Sequence, residues 1–107
     1  MKDLSAGYLY DFYAGVLTGR ASEVMAMYYH EDFSLGEIAD NLKISRQGVK
    51  DFIDRSVKTL NGLETATGAY ARYRLSCDFL AACAKELENG GEGKEAVERI
   101  KEFLREY

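Results

Sequence analysis

Apolar residues recur at three- and four-residue intervals along most of this chain, so the pattern predicts helices separated by short polar breaks. The most ordered stretch is SLGEIADNLKISRQGVKDFIDRSVKTL, Ser34 to Leu60. Ser34 followed by Glu37 has the spacing of a capping box, and Leu35, Ile38, Ala39 and Leu42 continue at helical intervals. After a break at Lys43-Ile44, Ser45 is placed to cap a second helix. Its stripe is Val49, Ile53, Ser56 and Leu60, with Phe52 and Val57 at the edges. Two short amphipathic helices joined this tightly cross steeply and leave the outer face of the second exposed. That is the layout of a helix-turn-helix, a unit suited to recognition.

The flanking pattern adds four more helices. The first should run from about Leu4 to Leu17, with Leu9, Phe12, Tyr13, Val16 and Leu17 on one face and Tyr8 adjoining. Tyr8, Tyr10, Phe12 and Tyr13 give it an aromatic load that core packing explains better than base stacking. Thr18 is an N-cap candidate for a second helix ending near Tyr29, with Val24, Met25, Met27, Tyr28 and Tyr29 apolar. His30-Glu31-Asp32 reads as a polar loop and Phe33 as a hydrophobic staple. Asn61-Gly62 reads as the end of the capped helix, with glycine in the left-handed position. A longer helix then starts between Leu63 and Thr67 and runs to about Asn89, its buried side marked by Tyr70, Tyr73, Phe79, Leu80, Cys83 and Leu87. Gly90-Gly91-Glu92-Gly93 breaks the pattern. A last helix from Lys94 to Arg105 aligns Val97, Ile100, Phe103, Leu104 and Tyr107.

Composition narrows the class. A chain of 107 residues without proline, with 47% hydrophobic and 30% charged residues, predicts a single all-α domain able to fold without a staple. No run reaches the roughly 20 apolar residues that span a bilayer, and no signal peptide opens the chain. A cytoplasmic location with no membrane association is the expectation. Cys77 and Cys83 lie about 9 Å apart along a helix, too far for a disulfide, and read as reduced core thiols. One histidine, no metal-ligand spacing and no nucleophile or phosphate-loop motif leave catalytic residues, metal and cofactors at none.

Charge distribution points to one segment. The net charge of −4 argues against a strong general affinity for nucleic acid. Residues 34–60 nevertheless carry five bases (Lys43, Arg46, Lys50, Arg55, Lys58) against four acids (Glu37, Asp40, Asp51, Asp54), the sole positive stretch. On a helical projection Gln47, Lys50, Asp51, Asp54 and Lys58 fall opposite the apolar stripe. Arg46 opens the helix, where such units reach base edges. Arg suits guanine and Gln suits adenine, while Lys43 and Lys58 could touch phosphates. Asp51 and Asp54, in the middle of the face, would repel a phosphate backbone, and an ordinary solvated face is the competing reading.

The stretches YDFYAGVLT (residues 10–18) and MYYHEDFSLGEIADNLKISRQGVKDFIDR (residues 27–55) resemble the YlxM-like family, small bacterial proteins whose helix-turn-helix is similar to region 4 of sigma factors. The likeness covers most of residues 8–60 and rests on the aromatic helix, the tyrosine pair and the SLGEIA…SRQ core in that order. It implies an all-α sigma-region-4-like fold with additional N- and C-terminal helices, contacts at Arg46, Gln47 and Lys50, and no catalytic residues. It also implies a role in the signal recognition particle pathway. Gly19, where proline would start a helix, and Gly48, where alanine would suit, depart from that pattern. Three functions follow. The first is an accessory protein of that pathway contacting DNA, RNA (the particle's RNA among them) or the particle's GTPase. The second is a dimeric DNA-binding transcription regulator, the apolar terminal helices pairing two chains. The third is an enzyme.

Overall fold

A computed structural model describes residues 2–106. Six helices follow in order: α1 Leu4–Phe12, α2 Gly19–Tyr29, α3 Leu35–Leu42, α4 Arg46–Thr67, α5 Ala69–Glu88 and α6 Lys94–Glu106. No strand occurs among the described residues, so the fold is all-α as the pattern predicts. The chain divides into two compact units, Met1–Tyr70 and Ala71–Tyr107. Tyr107, assigned above to the last helix's apolar face, lies outside the described residues.

In the first unit α1, α2 and α3 pack against α4. Val24, Met25, Ile38, Val49 and Leu60 are fully buried, joined by Leu9, Tyr10, Ala39 and Ile53. Fully burying side chains of this size stabilises by about 1.5–3 kcal/mol each, so this cluster is the main source of order. The stripe expected on α4 is the one found: Val49, Ile53, Ser56 and Leu60 are its buried residues, and Phe52 and Val57 pack at the margin. Lys2 ties the start of the chain to the α2–α3 loop. Its ammonium donates to the carbonyls of Tyr28 (2.7 Å) and Phe33 (3.1 Å) and to Asp32 Oδ1 (2.7 Å), and it lies 4.4 Å from the Tyr28 ring centroid.

Several boundaries differ from the sequence expectation. Helix α1 stops at Phe12, five residues before Leu17, and Val16 is exposed in the turn beyond. The chain must reverse here, and Gly19 supplies the reversal at φ 60°, a conformation that proline cannot adopt. Tyr10, not Tyr8, is buried on α1. Thr18 occupies the N-cap position of α2 but makes no capping bond. Asn61-Gly62 does not end the fourth helix. The helix runs on to Thr67, and Gly68 at φ 60° is the left-handed cap. The added turns are held from outside: the Tyr13 hydroxyl donates to Glu64 Oε1 (2.7 Å) and lies 3.0 Å from Thr67 Oγ1. The same Glu64 oxygen accepts from the backbone N–H of Tyr70 (2.9 Å), satisfying a free donor at the start of α5.

The second unit is the rest of α5 and α6 joined by a glycine-rich turn, with Gly90 at φ 85° and Gly93 at φ 80°. The turn reverses the chain so that Phe103 stacks on Phe79 at 4.9 Å between ring centroids. Only Cys83 and Ala96 are buried in it among the described residues. Tyr73, Leu80 and Leu87, expected on the buried side of α5, are exposed, as are Val97, Ile100 and Leu104 of α6. Two helices share one seam, and these residues flank it. Cys77, expected in the core, also faces solvent, and both thiols are free.

Candidate nucleic-acid interface

Helix α3 begins with a complete capping box. Ser34 Oγ accepts from the Glu37 N–H (3.1 Å), and the Glu37 carboxylate accepts from the Ser34 N–H (3.0 Å). The backbone N–H of Ser34 beside it holds the Glu37 carboxyl below its ordinary value of 4.5. The helix ends at Lys43, which adopts φ 58°, ψ 44°. A left-handed residue other than glycine costs about 1–2 kcal/mol. Ile44 follows, its N–H bonded to the Ala39 carbonyl (3.1 Å). Ser45 then caps α4 by accepting from the Gly48 N–H (3.0 Å). Gly48 is thus at the third position of α4, where an added Cβ would sit 3.1 Å from the capping Ser45 oxygen. Capped helix, three-residue turn, capped helix: the local chemistry fixes the crossing.

All five residues singled out in the sequence, Lys43, Arg46, Gln47, Lys50 and Lys58, are exposed. Their states differ. Lys50 Nζ binds Asp54 Oδ2 at 2.8 Å, one helical turn on, and this hydrogen bond raises the Lys50 pKa above 10.5. The Gln47 amide donates to Asp51 Oδ1 (2.9 Å). The two acids that would repel a phosphate backbone are thereby engaged within the helix, at the cost of engaging two of the candidate contacts. Lys43, Arg46 and Lys58 form no ion pair among the described residues.

Two residues of this face were not foreseen. A Cβ on Gly36 would lie 2.9 Å from Arg46 Nη2 and 3.1 Å from Nε. The guanidinium is therefore laid across the first turn of α3, in space that glycine leaves open. Periodicity gives no sign of such a contact between helices. Arg55 donates from Nε to the Asp51 carbonyl (3.3 Å) and lies over the Phe52 ring at 5.1 Å, which its i, i+4 and i, i+3 spacings could have suggested. His30, read as a loop residue, is exposed and bonds Asp11 Oδ1 through Nε2 at 2.6 Å. No group of three or more His, Cys, Asp or Glu among the described residues is placed to hold a metal. No described helix is long and apolar enough to cross a membrane.

A capped α3, a tight turn and an α4 whose apolar side is core and whose polar side is open define an all-α helix-turn-helix protein. The profile of the UPF0122 family, described as "Putative helix-turn-helix protein, YlxM / p13 like", matches residues 1–102. The chain belongs to that family. It is similar to the UPF0122 protein YlxM of Bacillus subtilis (strain 168), 34% identical over 103 residues, 96% of this chain and 93% of the relative. The UPF0122 protein of Geobacillus sp. (strain WCH70) is also 34% identical over 103 residues, 95% and 94% of the two chains. That of Exiguobacterium sibiricum is 47% identical over 66 residues, 62% of each chain.

Proposed function

We propose that this chain is a non-catalytic, cytoplasmic regulatory protein that binds nucleic acid through the α3–α4 unit and serves the signal recognition particle pathway. The observation that carries the binding reading is the exposed face of α4, with Arg46 at its amino end, Lys43 in the turn before it and Lys58 about three turns along the helix. The amino end of this helix is where base edges are reached in helix-turn-helix proteins, and its unpaired N–H groups favour an anion. The likeness to sigma-factor region 4 supports the same use of the helix. The pathway assignment rests on the YlxM-like resemblance, and its partners would be the particle's RNA or its GTPase.

A second reading, a dimeric DNA-binding transcription regulator, is favoured by the Lys50–Asp54 pair. With Lys50 engaged, one copy offers few cations to phosphates, and two copies would double the contacts.

Binding to the particle's RNA, to its GTPase and to random duplex DNA, each at two salt concentrations, tests both readings. Arg46→Ala should weaken the preferred nucleic-acid ligand about tenfold or more. Lys43→Ala should reduce the salt slope by about one. Affinities unchanged by both substitutions would remove the amino end of α4 and the turn before it as the contact surface.

A further inference from the structure

The second unit is too small to enclose a core. A 37-residue stretch, Ala71–Tyr107, buries only Cys83 and Ala96 among its described residues. Units below about 40 residues usually need a disulfide, a metal or association with another chain. Here both cysteines are free, and no described cluster is placed to hold a metal.

Its exposed apolar residues are also ordered. On α5, Tyr73, Leu80 and Leu87 recur every seven residues; on α6, Val97, Ile100 and Leu104 follow at three and four. Seven-residue and three-four spacing is the signature of contact with another helix, each knob entering a hole between four residues of its neighbour. At about 100° per residue, each stripe is rotated in the same sense from the residues that meet in the seam, Phe79 and Cys83 on α5, Ala96 and Phe103 on α6. Because the two helices run antiparallel, equal rotations bring both stripes to the same side of the hairpin. One apolar face results, with Leu80 at 61% exposure and Leu104 at 70%.

We infer that this face is the contact between two copies of the chain, the two hairpins closing a four-helix bundle about a two-fold axis. These six residues, each 39–70% exposed, together present about 600 Å², against roughly 800 Å² per partner in a standard stable interface. The apolar centre alone thus supplies most of what a dimer needs. A second copy brings helices of matching spacing by construction, as a two-fold contact demands. The residues of this unit include eight acids and seven bases, so two copies meet without a large like-charge penalty. This contact deepens the dimeric reading above by naming its surface, but it does not depend on nucleic-acid binding, so its test uses no nucleic acid.

Sedimentation equilibrium of the full chain at tens of micromolar should give twice the 12.0 kDa chain mass. Leu80→Glu and Leu104→Glu, each with wild-type helix content by circular dichroism, should return the single-chain mass and weaken self-association at least 100-fold. Tyr8→Glu, on the exposed side of α1, should leave the dimer intact. Leu87→Ser serves where a glutamate variant does not fold. Cys77, exposed beside Tyr73 and Leu80 on the same face, should react more slowly with a maleimide as concentration rises through the dimer range. A wild-type chain that stays monomeric, or a dimer that survives Leu80→Glu and Leu104→Glu but not Tyr8→Glu, would overturn the assignment. The first result would mean the face is covered within the chain or by another protein; the second would place the contact on α1.

Discussion

The two units are built with the same device, helices bearing an apolar stripe, and reach opposite outcomes. In Met1–Tyr70, four helices surround a centre where five large side chains lose all contact with water. In Ala71–Tyr107, the stripes of two helices stay largely wet. The difference lies in how many surfaces meet. Helices packed around α4 cover one another's stripes, whereas a single pair of helices has only one shared seam. It follows that the two units offer different surfaces for work. In the first, the apolar stripe of α4 is committed to the core and its polar side is open; in the second, the apolar stripes are largely the open surface.

The comparison can be broken most directly by truncating one leucine in each unit. Leu60, fully buried on α4, should cost about 2–5 kcal/mol as Leu60→Ala. Leu75 on α5 is 50% exposed and lies off the proposed dimer face; Leu75→Ala should cost less than about 1 kcal/mol. Urea unfolding measures both, and amide exchange should locate the Leu60→Ala loss in α1 to α4. Equal costs at the two positions would mean that the second unit is as tightly packed as the first.

The same contrast explains what could be read from the sequence. The α3–α4 unit was legible almost to the residue, because local signals agree there: serine caps, a glutamate at the third position and an apolar stripe of one period. The end of α4 was not. Asn61-Gly62 carries a local stop signal, but Leu60 in the core and the Tyr13–Glu64 bond from 51 residues away hold the helix together through it. The buried side of α5 was misread for a related reason. Periodicity shows that Tyr73, Leu80 and Leu87 share a face; burial depends on whether something covers that face. At the candidate interface the exposed cations were visible as a pattern of charges. The Gly36–Arg46 contact and the Lys50–Asp54 pairing were not, since each depends on how side chains settle.

A sharper test concerns the tether that closes the first unit. Lys2, although near the start of the chain, is held by two backbone carbonyls and Asp32. Lys2→Met keeps the aliphatic stem and removes the donors. It should cost about 1–3 kcal/mol, because the Tyr28 and Phe33 carbonyls are part-buried and lose a charged partner. Thermal unfolding measures this, and amide exchange should rise around residues 28–33. No change would show that the α2–α3 loop is ordered by the core alone.

The smallest expected effect is a dependence on acid. Three carboxyl groups of the first unit, Asp3, Asp32 and Glu37, are held below their ordinary values. The causes are hydrogen bonds from Ser5 to Asp3, from Lys2 to Asp32 and from the Ser34 N–H to Glu37. A depressed carboxyl binds its proton less readily folded than unfolded, so its contribution is complete above the unfolded value and fades as pH falls through the lower folded one. For Glu37 that window opens near 4.5 and extends downward. Ser34→Ala should cost about 1 kcal/mol at neutral pH through the lost cap. Glu37→Gln, which keeps an acceptor for the Ser34 N–H but cannot ionise, isolates the charge. The melting-temperature gap between wild type and Glu37→Gln should therefore narrow between pH 5 and pH 3. A gap that widened over that range would mean the Glu37 carboxylate opposes folding, and the capping box would then owe its stability to the Ser34 hydroxyl alone.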